Sequence, residues 1–358
     1  MHVQRLAAVF EPDEHDIAVD RRRRPRRAPA SIFVGPIIIA YTMNLAAARE
    51  LKQEIWHCAR RSHERPPVSI GIRMTSNRTA YRVAVLLHTY RDRHVLETSC
   101  MRAHLRSARH AVDVEVLDEV FQLSGRASAV TETALLGLGA SIGHFKGGDG
   151  SLGFFAVQRS TGRRGIVSCS HVIAFADGGV DGDAVIAPSA SNGGRSPRNR
   201  IGSLDGRYPR LGDAGRKHAD CAFAALDDHV PYDPARVDGG MLVARVASAV
   251  EHVDVTKIGC VSGARKGVVA AIELDNIPVR YGEIKAFFDD VIQIGATSAS
   301  RFAAGGDSGA LIYTTHTRQP VGLLFATSYS GGPFDAGWSW AHPIDHVLRA
   351  LDVDVIVE

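Results

Sequence analysis

From Asn44 onward the apolar positions Leu45, Ala48, Leu51, Ile55 and Cys58 recur at the spacing of one helix face. Val68 to Met74 and Tyr81 to Leu87 then run apolar or alternate, as strands do. A second helical segment is expected around His94 to Arg109, and Ala111 to Val120 carries V-D-V-E-V-L-D-E-V, a strict period of two. The order α-β-β-α-β predicts a small α/β domain over residues 43–122, followed by a polar, small-residue linker over 123–134. Beyond it, short apolar runs follow one another between turns such as Gly147 to Gly150, Asp177 to Gly179 and Asp238 to Gly240. That spacing predicts a sandwich or barrels. Pro343 followed by Ile344, Val347, Leu348 and Leu351 predicts a closing amphipathic helix.

Composition narrows the class without naming a function. A chain of 358 residues, 45% hydrophobic and 23% charged, excludes a mainly disordered chain, a collagen-like repeat and a disulfide scaffold. The 42 basic and 39 acidic side chains leave only +3, and most of the excess is the run Arg21 to Arg27. A dedicated nucleic-acid binder would spread basic charge over its body, so that class is disfavoured. Residues 1–42 are read as a basic, disordered tail, with synthesis from Met43 as an alternative. The apolar stretch Ile32 to Ala48 follows the arginines as a signal anchor would, yet falls short of the ~20 residues of a membrane span. Five cysteines, at 58, 100, 169, 221 and 260, show no close pairing and are read as free thiols of a reducing compartment. A cytoplasmic location is expected, with the 32–48 segment as the one feature pointing elsewhere.

Two patterns are decoys. Gly148 to Gly153 matches G-x-G-x-x-G by letter but opens onto the strand-like Phe154 to Val157, so no helix N-terminus would face a pyrophosphate. The sixteen histidines include the pairs His57/His63 and His342/His346, which lack companions at ligand spacing. They read as scattered surface or capping residues, and neither metal nor cofactor is expected.

Three other stretches fit one chemistry. Gly165 to Ala174 (G-I-V-S-C-S-H-V-I-A) sets His171 just after an apolar strand. Lys217 to Ala225 (K-H-A-D-C-A-F-A-A) sets Asp220 at the mouth of another, and Ala304 to Tyr313 (A-G-G-D-S-G-A-L-I-Y) sets Ser308 in a glycine turn. A serine hydroxyl is a weak nucleophile that needs a base. Imidazole, with an ordinary pKa of ~6.5, is that base at neutral pH, and a buried carboxylate on its other nitrogen fixes the tautomer. The glycines allow the Gly306 and Ser308 amides to converge on a developing oxyanion. The chain order His, Asp, Ser makes His171, Asp220 and Ser308 the candidate catalytic residues.

From Leu135 to Leu351 the chain resembles a chymotrypsin-fold, trypsin-like serine peptidase. The resemblance implies two six-stranded β-barrels with the active site between them, a mainly β fold preceded by the α/β segment. It also implies His171 as general base, Asp220 as its orienting partner, Ser308 as nucleophile, Gly306 and Ser308 as oxyanion amides, and Phe302 and Ala326 at the primary specificity pocket. Gly150 to Gly153 and Lys257 to Gly267 (K-I-G-C-V-S-G-A-R-K-G) are similar to stretches in bacterial and plant peptidases of this type that work inside cells. The segment before residue 122 resembles the small domain that often precedes them. The chain departs from the family in lacking an Ile-Val-Gly-Gly start, so Asp307 must find a partner other than a new amino terminus. With Phe302 where relatives set specificity, a small or apolar residue before the cut bond is expected, not Lys or Arg.

The leading expectation is therefore a serine endopeptidase working through an acyl-enzyme on a protein or peptide substrate, latent until a partner docks on the α/β domain. The alternatives are a silent peptidase-fold binding module and a nucleic-acid binder using the arginine tail. Nucleic acid and membrane are both disfavoured as partners.

Overall fold

The computed structural model describes residues 43–61, 65–75, 80–123, 135–212, 219–247 and 253–358. The expected tail over 1–42, the linker after Leu123, and Lys217 and His218 lie outside the described residues.

Helix α1 (Leu45–Arg60) starts where Asn44 accepts a hydrogen bond from the Ala47 amide at 2.9 Å, a side-chain cap. Its face of Ala48, Ile55 and Ala59 is buried against the strands β1 (Val68–Met74) and β2 (Tyr81–Leu87), which pair antiparallel. The helix expected around His94 to Arg109 is divided. A 3-10 helix, Tyr90–Glu97, ends at Thr98, whose extended backbone breaks the helical path and whose hydroxyl caps α2 (Ser99–Ser107). α2 returns the chain to β3 (Val112–Val116), parallel to β2 as a crossover requires. The strand expected to reach Val120 stops at Val116. Val116 is exposed while Leu117 and Val120 are both buried, so the alternation ends and the chain turns inward. It then forms the short strand β4 (Phe121–Gln122).

The next strands are β5 (Ser141–His144), β6 (Gly147–Ser151), β7 (Phe154–Gln158) and β8 (Arg164–Ser168). A single helical turn α3 (Ser170–Ile173) follows, then β9 (Ala184–Ile186), β10 (Arg200–Leu204) and β11 (Ala222–Leu226). They form one sheet in the order β6-β5-β9-β10-β11-β8-β7, curled into a half-barrel. The second half of the chain supplies β12 (Asp254–Gly259), β13 (Gly263–Asp275), the hairpin β14 (Ile277–Tyr281) and β15 (Ile284–Phe288), β16 (Val291–Ala296), β17 (Leu311–Thr314), β18 (Pro320–Thr327) and β19 (Trp338–Pro343). Here the ladder closes: β12, β13, β16, β19, β18 and β17 pair in a ring. The closing helix α4 (Ile344–Leu351) follows, burying Ile344, Val347, Leu348 and Leu351 as the spacing predicts, and β20 (Val353–Val355) joins the first sheet beside β7. The architecture is the mainly β, two-barrel trypsin-like one, with the second barrel closed and the first a curled half.

β13 is 13 residues long and outruns the barrel. Its far end pairs with β1, Arg73 opposite Ala271 and Ile70 opposite Asp275, so the N-terminal sheet is continuous with the second barrel. Gly71 permits this approach, since a Cβ there would stand 2.5 Å from the Leu274 side chain. The cysteine expectation is corrected in this N-terminal part. Cys58 and Cys100 form a disulfide because α1 and α2 pack side by side, bringing together thiols 42 residues apart in sequence.

Candidate functional site

β8 and β11 are neighbours in the first sheet, with Ser168 opposite Ala222. The turn α3 leaving β8 and the residue entering β11 therefore meet at the same sheet end. That places His171 beside Asp220, with Nδ1 at 2.5 Å from Oδ2. Asp220 is wholly buried, and its other oxygen accepts from the Ser170 amide (2.8 Å), the Ser170 hydroxyl (2.7 Å) and the His171 amide (3.2 Å). Burial alone would push this carboxyl up. The adjacent imidazole and the hydrogen bonds from His171 and Ser170 outweigh it and hold the group below the usual carboxylate range.

Ser308 comes from the second barrel, on the turn between β16 and β17. Its Oγ lies 2.8 Å from His171 Nε2 and 3.3 Å from the Phe325 carbonyl oxygen. With Nδ1–H donated to the carboxylate, Nε2 carries the lone pair and faces the hydroxyl. Two residues, 49 and 137 positions from the histidine, thus converge on one imidazole.

The serine turn is locked from both sides. Gly309 has φ +87°, and a Cβ on it would come within 2.1 Å of Ser168 Oγ and 2.5 Å of the Ser151 carbonyl. The Ser151 amide donates to the Ser308 carbonyl at 2.7 Å, and Ser151 Oγ donates to the Gly306 carbonyl at 3.0 Å, so the first barrel holds the turn of the second. Asp307 points away from Ser308. It takes Lys257 Nζ at 2.7 Å, Ser262 Oγ at 2.6 Å and the amides of Val261, Ser262 and Ala304. Burial opposes its ionisation, but the lysine charge and these donors keep the carboxyl below its ordinary range. Lys257 is thus the charged partner of Asp307. Among the described residues neither the Gly306 nor the Ser308 amide donates to a protein acceptor.

Phe302 is buried in the second barrel's apolar cluster, seated over Gly267, where a Cβ would approach its ring to 2.7 Å. Ala326 is buried on β18, opposite Trp340. Sequence reading missed His342. It is wholly buried rather than a surface or capping residue, because β19 faces it into the core. There its Nε2 accepts the Asp220 amide at 2.9 Å and its ring stacks on Phe325 at 3.8 Å. Tyr281, likewise missed, places its ring 5.4 Å from that of His171.

Two groups among the described residues bring three metal-ligand atoms within 4.8 Å: Cys58, Cys100 and His104, and Cys169, His171 and Asp220. Neither suits an ion. In the first the thiols are joined. In the second, burial pushes the Cys169 thiol well above its usual range and its hydrogen is donated to the Leu324 carbonyl, while the imidazole is held by the carboxylate.

No family model matches the chain, and no curated protein matches it. Among solved structures, Thermobifida fusca Protease A is similar over 63% of this chain and 100% of its own, at 20% identity and TM-score 0.44. Cellulomonas bogoriensis chymotrypsin is similar over 62% and 98%, at 18% identity and TM-score 0.42. The Rv3671c protease from M. tuberculosis, in its active form, is similar over 93% and 97%, at 13% identity and TM-score 0.33. Likenesses this loose assign no chemistry, which rests on the atoms of this chain.

Proposed function

We propose that the chain is a serine endopeptidase. The observation that carries the reading is the single imidazole of His171 placed between the Asp220 carboxylate at 2.5 Å and the Ser308 hydroxyl at 2.8 Å. Ser308 Oγ attacks a peptide carbonyl, forming a C–O bond while its proton passes to His171 Nε2. The negative charge on the former carbonyl oxygen is received by the Gly306 and Ser308 amides. One such donor is worth about 10²–10³ in kcat. Collapse breaks the C–N bond as His171 returns the proton to the leaving amine, and water then releases the acyl group by the same route. Asp220 stays ionised throughout and orients the ring. Phe302 is packed in the second barrel's apolar cluster, which favours an uncharged side chain before the cut bond.

Ser308 is wholly buried and His171 only 6% exposed, which favours a latent resting form in which a polypeptide does not reach the hydroxyl. A protein partner that displaces the covering residues is the trigger we propose, docking on the N-terminal α/β segment. The function is tested by fluorophosphonate labelling. The chain should gain one covalent adduct at Ser308, absent from Ser308→Ala and His171→Ala. Absence of label both in the wild type and in a variant whose β4 is released from β18, each with the fold intact by circular dichroism, would refute the reading.

A further inference from the structure

Beside the buried serine runs a strand that belongs to no barrel. β4 pairs antiparallel with β18, Gln122 opposite Ala326 and Phe121 opposite Thr327, and parallel with β14, Phe121 opposite Arg280. On its other edge this stretch of β18 pairs with β19, Ala326 opposite Trp340, so β4 takes the edge that would otherwise be free. Leu123, one residue past the last pair, is next in line to Phe325, whose carbonyl lies 3.3 Å from Ser308 Oγ. The Leu123 side chain is fully buried in the apolar cluster that also holds Phe302, Ala303 and Leu324.

The rest of the segment is strapped down. Leu117 and Val120 are buried, and the Val120 carbonyl accepts from the Arg280 amide at 3.1 Å. Asp118 accepts from both the amide (3.1 Å) and the hydroxyl (2.7 Å) of Ser330, and Phe121 stacks on Tyr329 at 4.1 Å. An extended peptide docking next to Ser308 needs a free strand edge for its backbone and a pocket for alternate side chains. Phe121 and Gln122 take that edge, and Leu123 lies in the apolar cluster that holds Phe302.

Resting on the hydrolase reading above, we propose that Leu117 to Leu123 is a built-in substrate mimic. It occupies the β18 edge that a polypeptide substrate uses, and Leu123 fills the pocket for the side chain whose carbonyl is attacked. The substrate class follows: an extended polypeptide with leucine, or an aliphatic side chain of that size, on the acyl side of the cut bond. The resting chain is blocked by its own strand. The Leu123 carbonyl receives no hydrogen bond from the Gly306 or Ser308 amide, so the segment is held as an occupant and not as a bond under attack.

The test uses the full chain with two readouts, the rate of fluorophosphonate labelling at Ser308 and the kcat/KM for acetyl-Phe-Gln-Leu-aminomethylcoumarin against its Lys and Asp counterparts. Gln122→Pro, which removes a ladder N–H from a strand paired on both edges, and Leu123→Asp, which charges the pocket occupant, should each label at least tenfold faster than wild type. The Leu peptide should be turned over at least tenfold better than the other two. Wild-type labelling as fast as both variants, or equal turnover of the Lys peptide, overturns the proposal while the hydrolase reading stands. No label at Ser308 in any natively folded variant sinks both. Should the two variants fail to fold, Phe121→Ala, which removes only the stack on Tyr329, should still speed labelling severalfold, and the residual wild-type turnover should still prefer Leu tenfold. Failure of either result counts against the mimic.

Discussion

Lys257 Nζ lies 2.7 Å from Asp307 Oδ2, with both side chains wholly out of solvent. This pair fastens the start of the second barrel, on β12, to the residue immediately before Ser308. A charge buried without its partner is costly, whereas replacing both members with neutral groups is tolerated. Lys257→Met should therefore lose about 3–5 kcal/mol in urea unfolding, and Lys257→Met combined with Asp307→Asn should recover part of that. Because Asp307 also receives the Ala304 amide of the serine turn and the Val261 and Ser262 amides of the turn between β12 and β13, labelling at Ser308 should fall in the single variant. Equal stability of single variant and wild type would remove Lys257 from this role.

Asp220→Asn keeps the side-chain shape but offers an amide where an ionised acceptor stood. The imidazole would then present the wrong nitrogen to Ser308. Turnover of the leucine peptide should drop about 10⁴-fold in kcat with KM little changed, a split that separates orientation of the ring from loss of the substrate groove.

How much of this was legible in the sequence differs by element. His171, Asp220 and Ser308 could be found because each sits at the end of an apolar run, and a nucleophile, base and carboxylate carry distinct local signatures. Their convergence also needed β8 beside β11, which the strand pattern does not state. Lys257 stood in a recognisable stretch, yet its partner is 50 residues away, and pairing at that separation leaves no local mark. His342 read as an ordinary histidine because burial is decided by which face of β19 meets the core. Leu117, Val120 and Leu123 were hidden for a related reason. The first two looked like the end of an alternating strand and the third like the start of a polar linker, and only packing shows that all three are buried.

The cysteines give a direct count. Sequence spacing suggested five free thiols, whereas the structure joins Cys58 to Cys100 and leaves Cys169, Cys221 and Cys260 free. Burial raises Cys169 and Cys221 well above the ordinary thiol range and Cys260 to about 11, so all three are poor nucleophiles at neutral pH. Native protein treated with iodoacetamide should gain at most one adduct, at the half-buried Cys260. Denatured, unreduced protein should gain three, and denatured, reduced protein five. Five adducts without reductant would contradict the disulfide.

His88 couples the N-terminal sheet to pH. Its Nε2 lies 3.0 Å from Ser69 Oγ, and that hydroxyl already donates to the Asn276 carbonyl at 2.9 Å, so Nε2 must be the donor. Burial, aided by the nearby Lys285 charge, lowers its pKa to about 4 against the opposing pull of Asp92 and the Asn276 backbone. In the unfolded chain the ring titrates near ~6.5. Between those values the unfolded state binds a proton that the folded state refuses. The contribution is therefore complete above pH ~6.5 and is lost as pH falls toward 4, by at most about 3 kcal/mol. His88→Gln can still donate to Ser69 but does not titrate. The difference in urea midpoint between wild type and His88→Gln should accordingly widen to the disadvantage of wild type from pH 7 to pH 4.5. A difference that stays flat across that range would mean that His88 protonates as readily in the folded chain as outside it.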